Sequence, residues 1–250
     1  MTYHPYRNGW SVKPGLHRFP HHTGHDQDDQ FFQMDRDFDR FIEAKRNVTH
    51  DPHLEHFLPE LARETVREWI AAELNEPADA TLDELAMAMQ EDFAIHCYTE
   101  DRDWLAMLHF CFPSGWSPAE VIGESFAGTH ADVPGMALPP ALTHSMMTGG
   151  PFVRYNWGVA YSQDLLRYHK DRNTYRFNPS DPEVYVQVER QLTKGFPEAN
   201  CAIFIVRQYN LDHAETDWPA LLTALEGMPP EGVEYKGIQP GVIEHVRTLV

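Results

Sequence analysis

Two histidine-bearing patterns carry the first hints of chemistry. His130-Ala131-Asp132 is an H-x-D run, a spacing found in non-heme iron sites where a distant histidine completes a facial triad. His169 or His213 could complete it. A neutral imidazole is equally a ligand for heme iron, and a hydrogen-bonded loop histidine is the plainer alternative. His144 and His17 are the next candidates for an iron ligand. The stretch 184–191 carries the second kind of signal. At a period of two, Val184, Val186 and Val188 share a face with Arg190, while Tyr185, Gln187, Glu189 and Gln191 take the other. A guanidinium closing an apolar face needs a partner. A ligand carboxylate would supply one bidentately, and solvent or an internal carboxylate would also serve. The stretch 152–160 alternates likewise: Val153, Tyr155, Trp157 and Val159 are apolar, whereas Arg154 and Asn156 point the other way, toward a pocket or water.

Other polar groupings have plainer readings. His17, His21, His22 and His25 lie near Asp26, Asp28 and Asp29 in a polar segment, where solvated side chains are the default. Glu91-Asp92 follows an apolar helical stripe and reads as solvated or cap-pairing. Met136, Met146 and Met147 read as lining or core.

The elements that must position these residues follow from periodicity. Residues 1–30 hold Pro5, Pro14 and Pro20 and read as an irregular segment wrapping the surface. Leu58, Leu61, Ala62, Thr65, Val66, Trp69, Ile70 and Leu74 form one stripe of a helix over 58–74. A second helix starts at Thr81, with Glu84 completing a capping box and Leu82, Leu85, Met89 and Phe93 as its stripe. From 103 the period is two, and strands are expected at 104–112, 152–160, 184–192 and 201–209. The loop 113–150 between the first two is long, which marks it as functional, and it supplies Trp116 and His130. Helices first and then locally connected strands predict an α+β domain with a mostly antiparallel sheet over 31–250.

Composition narrows the partners. The chain has 250 residues and a formal net charge of −18, an acidic field that repels phosphate backbones and argues against nucleic acid. Its longest apolar run is Cys201 to Val206, far short of the about 20 residues of a membrane helix. The N-terminus lacks the apolar core of a signal peptide, so a cytoplasmic protein is expected. Cys97, Cys111 and Cys201 are scattered among apolar residues, and the absence of a C-x-x-C pair leaves an iron–sulfur cluster or covalent heme unsupported. No G-x-G-x-x-G opens a helix, so no nicotinamide site is expected.

An ordered set of landmarks now gathers along the chain. It comprises Phe31-Phe32, Asp35, Lys45, Glu91-Asp92, Cys111-Phe112-Pro113-Ser114 with Trp116, and Ile122-Gly123 leading to His130, Val133, Pro134 and Gly135. Arg154, Asn156 and Trp157 follow, then Val188-Glu189-Arg190-Gln191, Ile203-Phe204 with Arg207, and Tyr235-Lys236-Gly237. In this set the chain resembles the heme-dependent oxidative N-demethylases, a family that includes the heme subunit of dimethylamine monooxygenase. The resemblance implies a PAS-like fold enclosing heme b in a cavity. It also implies oxidation of a small secondary amine, dimethylamine-like, with dioxygen and electrons from an external flavin and iron–sulfur reductase, releasing formaldehyde. On that basis His130 is the expected axial ligand, and Arg190 and Glu189 the polar pair nearest the reaction or the heme propionates. Trp116, Arg154, Asn156 and Trp157 are then the remaining cofactor contacts. Asp132 stands where the family pattern has proline and Gln187 where it has a basic residue. A non-catalytic heme sensor or carrier, and a non-heme iron oxygenase using His130 and Asp132, remain the competing functions.

Overall fold

A computed structural model describes residues 3–11, 15–131, 133–134, 138, 140–167 and 175–250. Seven strands form one sheet in the order β1-β5-β6-β7-β3-β4-β2: β1 (His17–Arg18), β2 (His53–Glu55), β3 (Asp92–Tyr98), β4 (Asp103–His109), β5 (Phe152–Ala160), β6 (Tyr185–Phe196) and β7 (Cys201–Leu211). Every neighbouring pair is antiparallel, as the run of locally connected strands predicts. The helices are α1 (Phe38–Arg46), α2 (Glu60–Leu74), α3 (Leu82–Ala86), α4 (Pro118–Val121), α5 (Pro140–Thr148), α6 (Trp218–Glu226), α7 (Pro230–Tyr235) and α8 (Val242–Arg247). None of the described helices is long and apolar enough to cross a membrane.

The second expected helix is shorter than its stripe. The Thr81–Glu84 capping box forms, but α3 ends at Ala86 and the chain enters β3 at Asp92. Met89 and Phe93 are fully buried in the same core that the helical stripe would have reached. A 3.6-residue period that runs into a two-residue period keeps the same face inward for a few positions, which hides the boundary. Asp92 therefore opens a central strand with Glu91 just before it, and both are buried rather than solvated.

The sheet has two unlike faces. Helices α2 and α3 cover one face over β3, β4 and the near ends of β6 and β7, with Val66, Ile70, Leu85, Phe93 and Ile203 fully buried. Helices α6 and α8 cover the same face over Val186, Val188 and Trp157. Between these two packed regions runs the segment 28–37, and the polar residues of this face exist to receive it. Arg190 donates to the carbonyls of Gln30 (2.7 Å), Phe31 (3.2 Å) and Asp28 (3.5 Å). Its register partner Arg207 holds Asp35 at 2.7 Å, the amide of Gln33 donates to Glu91 Oε1 at 2.8 Å, and Gln90 and Asp35 bond reciprocally. A segment without secondary structure can lie against a sheet only if its backbone groups find such partners.

The described residues among the first thirty are tied to this face too. Tyr6 is 1% exposed against Trp157, the Trp157 indole donates to Gly9 O at 3.2 Å, and β1 adds a short strand beside Phe152 and Val153. On the second face, α5 lies against β6 and β7. A Cβ on Gly195 would stand 2.1 Å from the Met147 carbonyl oxygen. Gly195→Ala must push α5 away from the sheet. The expected cost is on the order of 2 kcal/mol, a fall in Tm of roughly 4–8 °C, which thermal unfolding by circular dichroism measures.

Candidate functional site

The face of β5, β6 and β7 opposite α2, α3, α6 and α8 carries a second set of polar residues. The register sets Asn156 beside Glu189 and Glu189 beside Gln208, and in the next row Arg154 beside Gln191. Glu189 Oε2 accepts from Gln191 at 2.8 Å and from Asn156 at 3.5 Å. Lys236, just after α7, donates from Nζ to Asn156 Oδ1 at 2.9 Å. Arg167 donates to Gln187 Oε1 at 2.7 Å and more weakly to Asn210 at 3.4 Å. Gln187 carries no charge of its own, so Arg167 brings a guanidinium to that position.

Three cations thus lie within electrostatic reach of one carboxylate. Glu189 acts electrostatically on Arg154, Arg167 and Lys236 alike. Burial lowers the pKa of each, and Lys236 falls to about 8. The Nε atoms of Arg154 and Arg167 are buried without a hydrogen-bond partner. A partly buried excess of positive charge with unused donors is costly alone and favourable beside an anionic ligand.

His130 stands at the end of a 3-10 turn, Gly128–His130, within the long loop. Its Nδ1 lies 2.8 Å from Phe126 O and 2.9 Å from Thr129 Oγ1. A carbonyl can only accept, so Nδ1 carries the proton and Nε2 keeps its lone pair. Burial lowers the pKa of His130 despite the hydrogen bond to Phe126, and Arg154 lowers it further, which keeps the ring neutral at pH 7. Beneath it lie Phe126, at 4.6 Å between ring centres, and Phe204, at 5.2 Å from Phe126. Trp116 joins the apolar cluster of Leu105, Leu108, Phe110, Phe204 and Val206 on this face. One side of the sheet therefore combines an apolar floor, a neutral imidazole and a cationic edge.

The residues expected from sequence divide between the faces. His130, Trp116, Arg154, Asn156 and Glu189 fall on this face. Arg190 and Trp157 fall on the other: Arg190 is 2% exposed and bonded to backbone carbonyls, and Trp157 is core beneath α6 and α8. Consecutive strand residues point to opposite sides, so Arg190 and Glu189 do not form a pair. Asp132 and His169 lie outside the described residues, and His213 packs against Trp218. A small cavity lined by Tyr155, Arg190 and Tyr209 adjoins the 28–37 segment, on the face away from His130. Lys236 had been legible only as a landmark, and Arg167, in a short apolar run, gave no signal.

Compared with known families, the chain matches haem-dependent oxidative N-demethylase, alpha subunit-like, over residues 64–244. It belongs to this family. The match spans α2 to α8 and so includes every member of the polar face named above, whereas the 28–37 segment precedes it. No curated protein matches the chain. For a haem-dependent N-demethylase of alpha-subunit type, heme, oxidoreductase chemistry and a partner subunit are what the family description suggests.

Proposed function

We propose that the chain holds heme b against the polar face of β5, β6 and β7 and removes a methyl group from a small secondary amine. The observation that carries this reading is the pairing of a neutral histidine, its Nε2 left bare, with three partly buried cations within electrostatic reach of one carboxylate. Heme b is an apolar plate with two carboxylates, and those residues fit both properties. His130 Nε2 is the iron ligand, Phe126, Phe204 and Trp116 supply apolar contact, and Arg154 and Lys236, with Arg167 behind them, receive the propionates. In this reading the antiparallel sheet is the PAS-like scaffold that the family resemblance implies.

When bound, heme supplies the redox chemistry by which a secondary amine, dioxygen, two electrons and two protons become a primary amine, formaldehyde and water. The electrons come from a flavin and iron–sulfur reductase partner. The protein's own residues bind and orient. Glu189 offers its carboxylate to an alkylammonium ion, and Asn156 and Gln191 hold that carboxylate in place. The apolar cluster around Trp116 excludes water.

The visible spectrum of the purified chain is the test. Heme gives an intense band near the violet edge, whereas a histidine–carboxylate iron site does not. Turnover of dimethylamine with a reductase then separates an enzyme from a heme carrier. Absence of the band after heme loading would remove the proposal.

Lys236 adds a pH dependence. Its pKa in the ligand-free protein is lowered to about 8 by burial. A bound propionate favours the ammonium form, so binding takes up a proton once the free protein has lost it. Heme affinity is expected to be level below pH 8 and to fall as pH rises through 8 toward 10. Lys236→Met should bind more weakly at pH 7 and show a flat profile. Heme dissociation constants measured across that range check it, and an unchanged slope in the variant would detach Lys236 from the site.

A further inference from the structure

A second constellation lies where β3 begins and β4 ends. One ligand atom from each of Asp92, His109 and Cys111 lies within 4.8 Å of the others, and all three residues are buried. We propose that these three side chains form a site for one divalent transition-metal ion of the zinc class, independent of heme. Thiolate, imidazole and carboxylate together suit a borderline-soft ion and not magnesium or calcium, which take oxygen donors.

The three side chains are bonded to one another only weakly, through a long contact between Cys111 and His109. Cys111 Sγ and His109 Nδ1 are 3.9 Å apart, close to the separation of two donors on one tetrahedral ion. Asp92 Oδ2 accepts from the Phe112 amide at 2.8 Å, but Oδ1 has no hydrogen-bond partner, although the side chain is only 3% exposed. Lys45 Nζ forms a buried ion pair with Oδ1 at 3.8 Å and donates its hydrogen bonds to Ala86 O at 2.9 Å and Glu91 O at 2.5 Å. Oδ1 is thus held only by this ion pair, and a metal ion there would take over the charge compensation that Lys45 supplies.

On binding, a metal–sulfur bond forms, the Cys111 S–H bond breaks and the proton leaves to solvent. The ion would fasten Cys111-Phe112 to the start of β3. From there the chain runs to Ser114, which accepts from Gln187 at 2.6 Å, and on to Trp116 beside the candidate heme face. Its role is therefore to anchor that loop.

The test is metal analysis and zinc-edge X-ray absorption on the purified full chain, with and without heme. Neither measurement is masked by heme absorption, so the result stands whatever becomes of the heme proposal. One zinc per chain is expected after dialysis, with one sulfur at about 2.3 Å and nitrogen or oxygen donors at about 2.0 Å. Cys111→Ser should remove the sulfur shell and weaken retention against a chelator by about tenfold or more, and Asp92→Asn should weaken it as well. Cys97→Ser is the control, since Cys97 faces Cys201 across β3 and β7 within the apolar core. A wild-type chain without zinc even after zinc loading, an oxygen-only shell, or a sulfur shell that survives Cys111→Ser would each overturn the site. Should Cys111→Ser not fold, the wild-type sulfur shell alone decides.

Discussion

His130→Ala is expected to give a folded protein that no longer retains heme at its ordinary level. The side chain stands at the end of a 3-10 turn, its Nδ1 bonded to the Phe126 carbonyl and close to Thr129 Oγ1, its ring against Phe126. That bond aims the ring and leaves Nε2 bare, which is how proteins orient imidazoles that bind metals. Losing an outer partner of such a ligand costs about 10–100-fold in metal affinity, so losing the ligand itself costs at least as much. The apolar floor of Phe126 and Phe204 and the cations Arg154 and Lys236 remain, so weak binding with an altered spin state is the residual expected. Spectral titration with heme measures both effects. An unchanged spectrum and affinity would transfer the ligand role, with His144 on α5 the next candidate and His17 after it.

Arg190→Ala should be the most destabilising single change on the covered face. The guanidinium is 2% exposed and answers three carbonyls of the 28–31 stretch. Removing it leaves those acceptors buried without donors, a loss of about 3–5 kcal/mol, or roughly 6–20 °C in Tm. Because its partners are backbone and not ligand, the loss should be equal in heme-loaded and heme-depleted protein, with activity per bound heme unchanged. Arg190→Lys should recover only part, since an ammonium cannot reproduce the planar fork. Paired melting curves test this. A loss confined to the heme-loaded state would return Arg190 to the functional site.

Several landmarks that carry the family resemblance belong to this clasp and not to the polar face. Phe31, Asp35, Glu91, Arg190 and Arg207 all secure the 28–37 segment across the sheet. A side chain that is indispensable for closing a core can mark a family as strongly as one that binds a ligand. This is why grouping Arg190 with Glu189 by adjacency in sequence joins two residues that the pleat separates.

The sequence alone determined the alternation of β5, β6 and β7. It put Val186 and Val188 on the side of Arg190, and Arg154 and Asn156 on the side away from Trp157, because a strand repeats every two residues wherever it sits. It also determined the capping box at Thr81 and the antiparallel class of the sheet. It did not separate α3 from β3, since helical and strand periods coincide over Met89 to Phe93. Which face is core and which is open was decided only by tertiary structure. That choice rests on α2, α3, α6 and α8 and on the 28–37 segment, all distant in sequence from the strands they cover. The same folding brings Arg167 and Lys236 to Glu189, and Asp92 to His109 and Cys111. No local pattern announces these meetings, because charge and ligand geometry depend on separation in space and not along the chain.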